Sequence, residues 1–314
     1  MILYYAMGGG LGHLSRAHAV LHSLRVQGLL PPEVRSSEAV LLTSSPFAQD
    51  SRVARGAQVC QVPTELGADS LACRAFVQAQ LSVLQPSLLL VDSFPGGIIG
   101  ELCDLVLPPH TTAWHIARLL KLPAYQPLVR GVLPHYQRTF MVEQLVTAHL
   151  NFLSHCSGSV ENLHVDDPQA LQLSTEMQVW LQLRQRPFWL VVHSESGEEL
   201  AELLAYAQAH RARLAAQVDT VLVSPKHPSP QQPSVGKANV QGQDGAAFLA
   251  AVEHLDIYPA AGLFPHAQRI YSACGWNVMQ QTQAHRARHF FLPQPRRFDD
   301  QFLRAARRRA ETSG

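Results

Sequence analysis

Ile2-Leu3-Tyr4-Tyr5-Ala6-Met7-Gly8-Gly9-Gly10-Leu11-Gly12-His13 opens the chain with an apolar run, four glycines in five positions and a histidine. A helical pattern follows, with apolar Leu14, Ala17, Val20, Leu21 and Leu24. Physically this is a buried strand, a glycine turn and a helix N-terminus. Such a turn leaves backbone N–H groups free and aims the positive end of a helix dipole at whatever docks there, most often a phosphate or diphosphate. Gly9, Gly10 and Gly12 are the candidate backbone contacts, with close helix–strand packing as the alternative use of these glycines. The dipole favours a neutral imidazole, so His13 is a candidate general base, or else a residue that caps the helix.

The glycine count excludes two cofactor loops. Reading G-x-G-x-x-G from Gly8 puts His13 where the third glycine belongs. The second apolar run, Ala39–Thr43, leads into Ser44-Ser45 rather than an acidic residue, so the loop is not a nicotinamide fingerprint. No Gly-Lys-Ser/Thr follows, so it is not a Walker loop either.

Outward from this loop, short apolar runs alternate with helical patterns. Strands are expected at 2–6, 39–43, 58–62, 87–91 and 111–116, with helices near 13–27, 46–55 and 69–84. The run at 87–91 ends in Asp92-Ser93-Phe94-Pro95-Gly96-Gly97, a polar loop past the carboxyl end of a strand. Residues 150–186 show no clear strand and hold the expected domain junction. A second series has strands at 188–192, 220–223, 255–258, 269–272 and 289–292, and a basic helix over 299–310. Residues 225–245, rich in Pro and Gly, are expected to form an irregular polar loop. Near-continuous apolar strands separated by helices describe α/β architecture with parallel sheets covered on both faces, and ligands on such sheets bind outside the carboxyl ends.

Bulk properties narrow the function. The chain has 314 residues, enough for two domains with their own cores. Its net charge is +1, which gives no whole-chain nucleic-acid footprint. No apolar run approaches the length of a membrane span, and the first residues lack the features of a signal peptide. Five widely spaced cysteines without a C-x-x-C pair fit a reducing cytoplasm and argue against structural zinc. The arginines Arg304, Arg307, Arg308 and Arg309 are expected to be a solvated helix end.

Two further stretches carry chemistry. Ala273-Cys274-Gly275-Trp276-Asn277 joins a strand to a helix start, a second candidate phosphate cradle. In Arg296-Arg297-Phe298-Asp299-Asp300-Gln301, the carboxylates and amide beside two arginines suit sugar hydroxyls and a phosphate, or the two acids cap the last helix.

Gly8–His13, Ala273–Asn277 and Asp299–Gln301 together resemble the GT-B glycosyltransferases, most closely the branch of MurG-type UDP-N-acetylglucosamine transferases. The resemblance implies two Rossmann-like domains facing each other across a cleft: residues 1–160 on the acceptor side, 161–298 on the nucleotide-sugar side, and 299–314 as a helix packing back toward the first. It implies an inverting, metal-independent transfer from a nucleotide-diphosphate sugar, with UDP the expected nucleotide, to a hydroxyl acceptor, with no cofactor. His13 is then the base, and His193, Ser194, Gly275, Trp276, Asn277, Gln281, Arg297, Asp300 and Gln301 form the donor side. A lipid-linked acceptor would bring the protein to the inner face of a membrane, and Leu119-Leu120-Lys121-Leu122 is a candidate interfacial segment, or else core. One position departs from the family: Gln281 stands where a glutamate usually binds the ribose, losing its charge. The acidic run Ser194–Glu199 is also unlike a diphosphate loop. Two other functions remain open, a nucleotide-sugar 2-epimerase of the same architecture and a catalytically degenerate nucleotide-sugar-binding protein.

Overall fold

The computed structural model describes residues 1–194, 197–225 and 252–312. The loop expected over 225–245 lies outside the described residues from 226 onward, as do Glu195 and Ser196 of the acidic run. The chain divides into two compact units, Met1–Asp167 with Arg297–Asp300, and Pro168–Arg296 with Gln301–Gly314.

The first unit is built on a seven-stranded sheet: β1 (Ile2–Tyr5), β2 (Ala39–Thr43), β3 (Gln58–Gln61), β4 (Leu88–Asp92), β5 (Thr112–Ala117), β6 (Tyr136–Met141) and β7 (Ser157–Asn162). Every pairing is parallel and the order is β3-β2-β1-β4-β5-β6-β7. β1, β2 and β4 are buried along their whole length, as helices on both faces of a parallel sheet require. The helix Leu11–Val26 turns Leu14, Ala17, Val20, Leu21 and Leu24 into the core, the stripe its sequence spacing specifies.

The second unit repeats the plan with five strands: β8 (Phe188–Val192), β9 (Asp219–Val223), β10 (Val252–Leu255), β11 (Arg269–Ala273) and β12 (His289–Leu292). Their order is β10-β9-β8-β11-β12, again parallel. Alternate residues of β8 feed two cores, Phe188 and Leu190 with Phe264 and Ile270, and Trp189 and Val191 with Leu203 and Tyr271. Both sheets therefore start in the middle and wind outward in both directions, which puts a topological switch point between β1 and β4 and another between β8 and β11. The expected α/β class with two Rossmann-like domains is what the structure has.

The structure also corrects the sequence reading in several places. β6 was not expected, and β7 lies in the stretch expected to hold no strand. β10 lies three residues earlier than the 255–258 segment, and the helical pattern of 46–55 splits into two short turns, Pro46–Gln49 and Ser51–Ala54. Leu119, Leu120 and Leu122 are buried, the latter two beside Phe94 and Tyr125, so this segment is core and not an interfacial surface. The last helix, Gln301–Thr312, belongs to the second unit, while the four residues before it, Arg297–Asp300, belong to the first. Its arginines are not all solvated: Arg304 and Arg308 are buried and donate to the carbonyls of Cys274 and Met279. No described helix is long and apolar enough to cross a membrane.

Candidate active site

The register Tyr5↔Val91 brings the carboxyl ends of β1 and β4 level, so the loop of Gly8–His13 emerges beside Asp92, the last residue of β4. His13 Nδ1 lies 2.5 Å from Asp92 Oδ2. Arg16, one turn further along the same helix, donates to both Asp92 oxygens, from Nε at 2.7 Å and Nη2 at 2.6 Å. Ser93 Oγ accepts from Arg16 Nη2 and from Arg118 Nε, both at 2.9 Å, and donates to Asp92 Oδ2 at 3.2 Å. Arg118 is paired in turn with Asp299 at 2.5 Å. The aromatic ring of Phe94 stands 6.0 Å from that of His13.

Charge and burial set the proton positions. Burial pushes His13 below the ordinary histidine range; Asp92 pulls it up, and Arg16 and Arg118 push it further down. Burial alone would raise the Asp92 carboxyl, but Arg16 and His13 outweigh it and hold the group far below the usual carboxylate range. The pair is therefore a carboxylate and a neutral imidazole at neutral pH. Asp92 can only accept, so Nδ1 carries the proton and Nε2 keeps the lone pair that can take one from a substrate.

The backbone around His13 is cut to fit. A Cβ on Gly8 would lie 2.4 Å from His13 Cδ2, and Gly8 has φ +150°. Gly8 is thus the glycine that seats the imidazole, whereas Gly9 faces open space and Gly10 caps the helix in extended conformation. Sequence reasoning chose Gly9, Gly10 and Gly12 and left Gly8 out. The loop after β4 is equally fixed. Tyr125 Oη accepts from Gly96 N at 2.7 Å and donates to Gly97 O at 3.0 Å, and Tyr136 donates to Pro95 O. The buried Glu101 accepts from Ile98 N, Ile99 N and the Tyr5 hydroxyl.

The remaining candidates divide between the units. Arg297 and Asp300 fall in the first unit, with Asp299, and Arg297 covers the ring of Phe298. In the second, His193 and Ser194 follow β8 and Gly275 follows β11, so they share the carboxyl edge at its switch point. His193 Nε2 lies 3.3 Å from Glu199 Oε2, which also receives Arg296 Nη2 at 2.6 Å. The His193 bond and the Arg296 charge outweigh partial burial and hold the Glu199 carboxyl low. Trp276 is buried, Asn277 and Gln281 are half-buried, and the helix they belong to, Trp276–Gln281, has six residues. So short a helix has little macrodipole to offer an anion. Gln301 is buried and its Oε1 accepts from Cys274 N at 3.1 Å and Gln294 N at 3.0 Å, a bond pair that ties the last helix to the β11 loop.

Sequence reasoning missed Arg16 and Arg118 and read Asp92 and Ser93 only as a polar loop. Two signals were there: an acid closing the apolar run of β4, and a lone cation within the apolar stripe of the first helix, three residues after His13.

No protein-family model matches the chain, and no curated protein does. Solved structures do. The spinosyn rhamnosyltransferase SpnG complexed with thymidine diphosphate is 15% identical and superposes with a TM-score of 0.54 over 100% of this chain and 85% of that one. The glycosyltransferase SnogD from Streptomyces nogalater is 14% identical, with a TM-score of 0.50 over 93% and 81%. The UDP-N-acetylglucosamine 2-epimerase from Rickettsia bellii is 11% identical, with a TM-score of 0.52 over 87% and 74%. At such identities the likeness establishes the fold, which is that of the GT-B glycosyltransferases and of an epimerase that shares it.

Proposed function

We propose that this chain is a glycosyltransferase that moves a sugar from a nucleotide diphosphate, UDP-linked by preference, to a hydroxyl acceptor with inversion and without a cofactor. The observation that carries this is the His13–Asp92 pair at the first switch point, a neutral imidazole held by a carboxylate with Nε2 left to act. His13 takes the proton of the acceptor hydroxyl as the oxygen attacks the anomeric carbon, the bond to the diphosphate breaks, and Asp92 stabilises the imidazolium. We assign the acceptor to the first unit and the nucleotide to the second, where the backbone at Gly275–Asn277 offers N–H groups to the departing diphosphate. Gln281 would read the ribose through its amide oxygen. Gln301 would act indirectly, by holding the β11 loop, since its oxygen is already bound to two backbone N–H groups. The MurG-type branch and a membrane-peripheral location rest on the resemblance of Gly8–His13, Ala273–Asn277 and Asp299–Gln301, and a cytoplasmic location on the cysteine usage.

Titration calorimetry against UDP, dTDP and GDP sugars, followed by analysis of the products, tests this. Binding of one donor and formation of a glycoside is the expected result. An epimerised sugar nucleotide would mean a 2-epimerase, binding without turnover a degenerate binding protein, and no heat with any donor would sink all three.

A further inference from the structure

The buried side chain of Arg16 stands out on a helix whose neighbouring inward positions are Leu14, Ala17 and Val20. Its Nε and Nη2 take both oxygens of Asp92, and Nη2 also reaches Ser93 Oγ and lies 3.3 Å from His13 Nδ1. Ser93, fully buried, is held at φ +66°, the left-handed region that penalises any side chain. The strain sits where its hydroxyl is used three times, by Arg16, by Arg118 and toward Asp92. The core itself asks for neither residue. An apolar side chain at 16 would continue the stripe, and a glycine at 93 would relax the backbone.

We propose that Arg16 is a positioning residue for His13: seated on Ser93, its planar fork fixes the Asp92 carboxylate in the orientation that receives the His13 Nδ1–H. This rests on His13 being the base and is independent of which donor or acceptor is used. A lysine cannot substitute fully, because an ammonium has no fork to span two carboxylate oxygens.

The charges around the pair give the test its sign. His13 is faced by Asp92, Arg16 and Arg118; Asp92 is faced also by Tyr4 and Ser93; and Asp299 balances Arg118. Arg16 opposes protonation of His13 and Asp92 favours it. Without the Arg16 charge, Asp92 holds an imidazolium more tightly and His13 protonates at higher pH. That shift follows from the charge alone, so the fork is read from Arg16→Lys, which keeps the charge and loses the planar pair of donors.

The experiment is an NMR titration of the His13 imidazole in the full chain without ligand, for wild type, Arg16→Gln, Arg16→Lys and Ser93→Gly. Wild-type His13 is expected to protonate below the ordinary histidine range. Arg16→Gln should raise the midpoint by about one pH unit. Arg16→Lys should keep a midpoint near wild type while lowering turnover. Ser93→Gly, which relieves the left-handed backbone and so folds even if Arg16→Gln does not, should move the midpoint upward as well. Unmoved midpoints in Ser93→Gly and in any folded Arg16→Gln overturn the proposal, as does a lysine variant with wild-type turnover. A protein that shows the expected shifts yet turns over no nucleotide sugar would refute the transferase function and leave the Arg16 assignment standing.

Discussion

At the switch point of the first unit the polar side chains converge on a histidine; at that of the second they hold loops to one another. His13, Asp92, Arg16, Ser93, Arg118 and Asp299 form one chain of charge-assisted bonds that ends on an imidazole nitrogen. In the second unit, Gln301 bonds the backbone of Cys274 and Gln294, and Glu199 stands between His193 and Arg296. The two sheets share a strand order, so topology alone does not produce this difference. It comes from what closes the strands: an acid at the end of β4, and small residues, Ala273 to Gly275, at the end of β11 and just past it. A reactive group has to be preorganised, because its geometry sets the barrier. A binding loop can exchange internal partners for those of its ligand, provided the ligand offers better ones.

The largest effect that would break this contrast is loss of the base. His13→Ala should lower kcat by on the order of 10²–10⁴-fold with a confirmed donor, measured by release of the nucleoside diphosphate. Full turnover in that variant would put the base elsewhere. Next comes Asp92→Asn, which leaves the Arg16 cation buried without its carboxylate. Urea denaturation should show a loss of about 3–5 kcal/mol; an unchanged midpoint would mean the network is not a structural unit. Gln301→Ala should cost about 2 kcal/mol by removing the acceptor of two buried N–H groups, read as a lower melting temperature. Weaker donor binding with unchanged stability would instead make Gln301 a direct ligand. The smallest effect is expected at Glu199→Gln. Removing a carboxylate that already occupies His193 and Arg296 should raise UDP affinity about fivefold by calorimetry. A weaker or unchanged affinity would take His193 out of the donor side.

Much of the fold was legible because its central strands are apolar along their whole length. β2 and β8 fall where the apolar runs lie, and so does the edge strand β12, His289–Leu292. β7, Ser157–Asn162, was missed because it is an edge strand, half-exposed and carrying Ser, Gly, Glu and Asn, so no apolar run marks it. β6 was missed because Gln137 and Arg138 interrupt its pattern, Arg138 being free to lie over Trp114 and pair with Glu161 near that same edge. At the site, His13 stood out because glycines announce a backbone turn. Asp92 is far away in sequence, and only the order β1-β4 makes it a neighbour. Arg16 was hidden for a different reason: a cation in an apolar stripe is read as a surface residue until its buried partner is known.

The protonation state of His13 is the point on which the first unit's role turns. ¹⁵N NMR of the imidazole in the wild-type protein at pH 7 measures it without any substrate. A neutral ring with the proton on Nδ1 and a bare Nε2 is the expected result. A ring protonated on both nitrogens, or on Nε2 alone, would contradict a base held ready by Asp92.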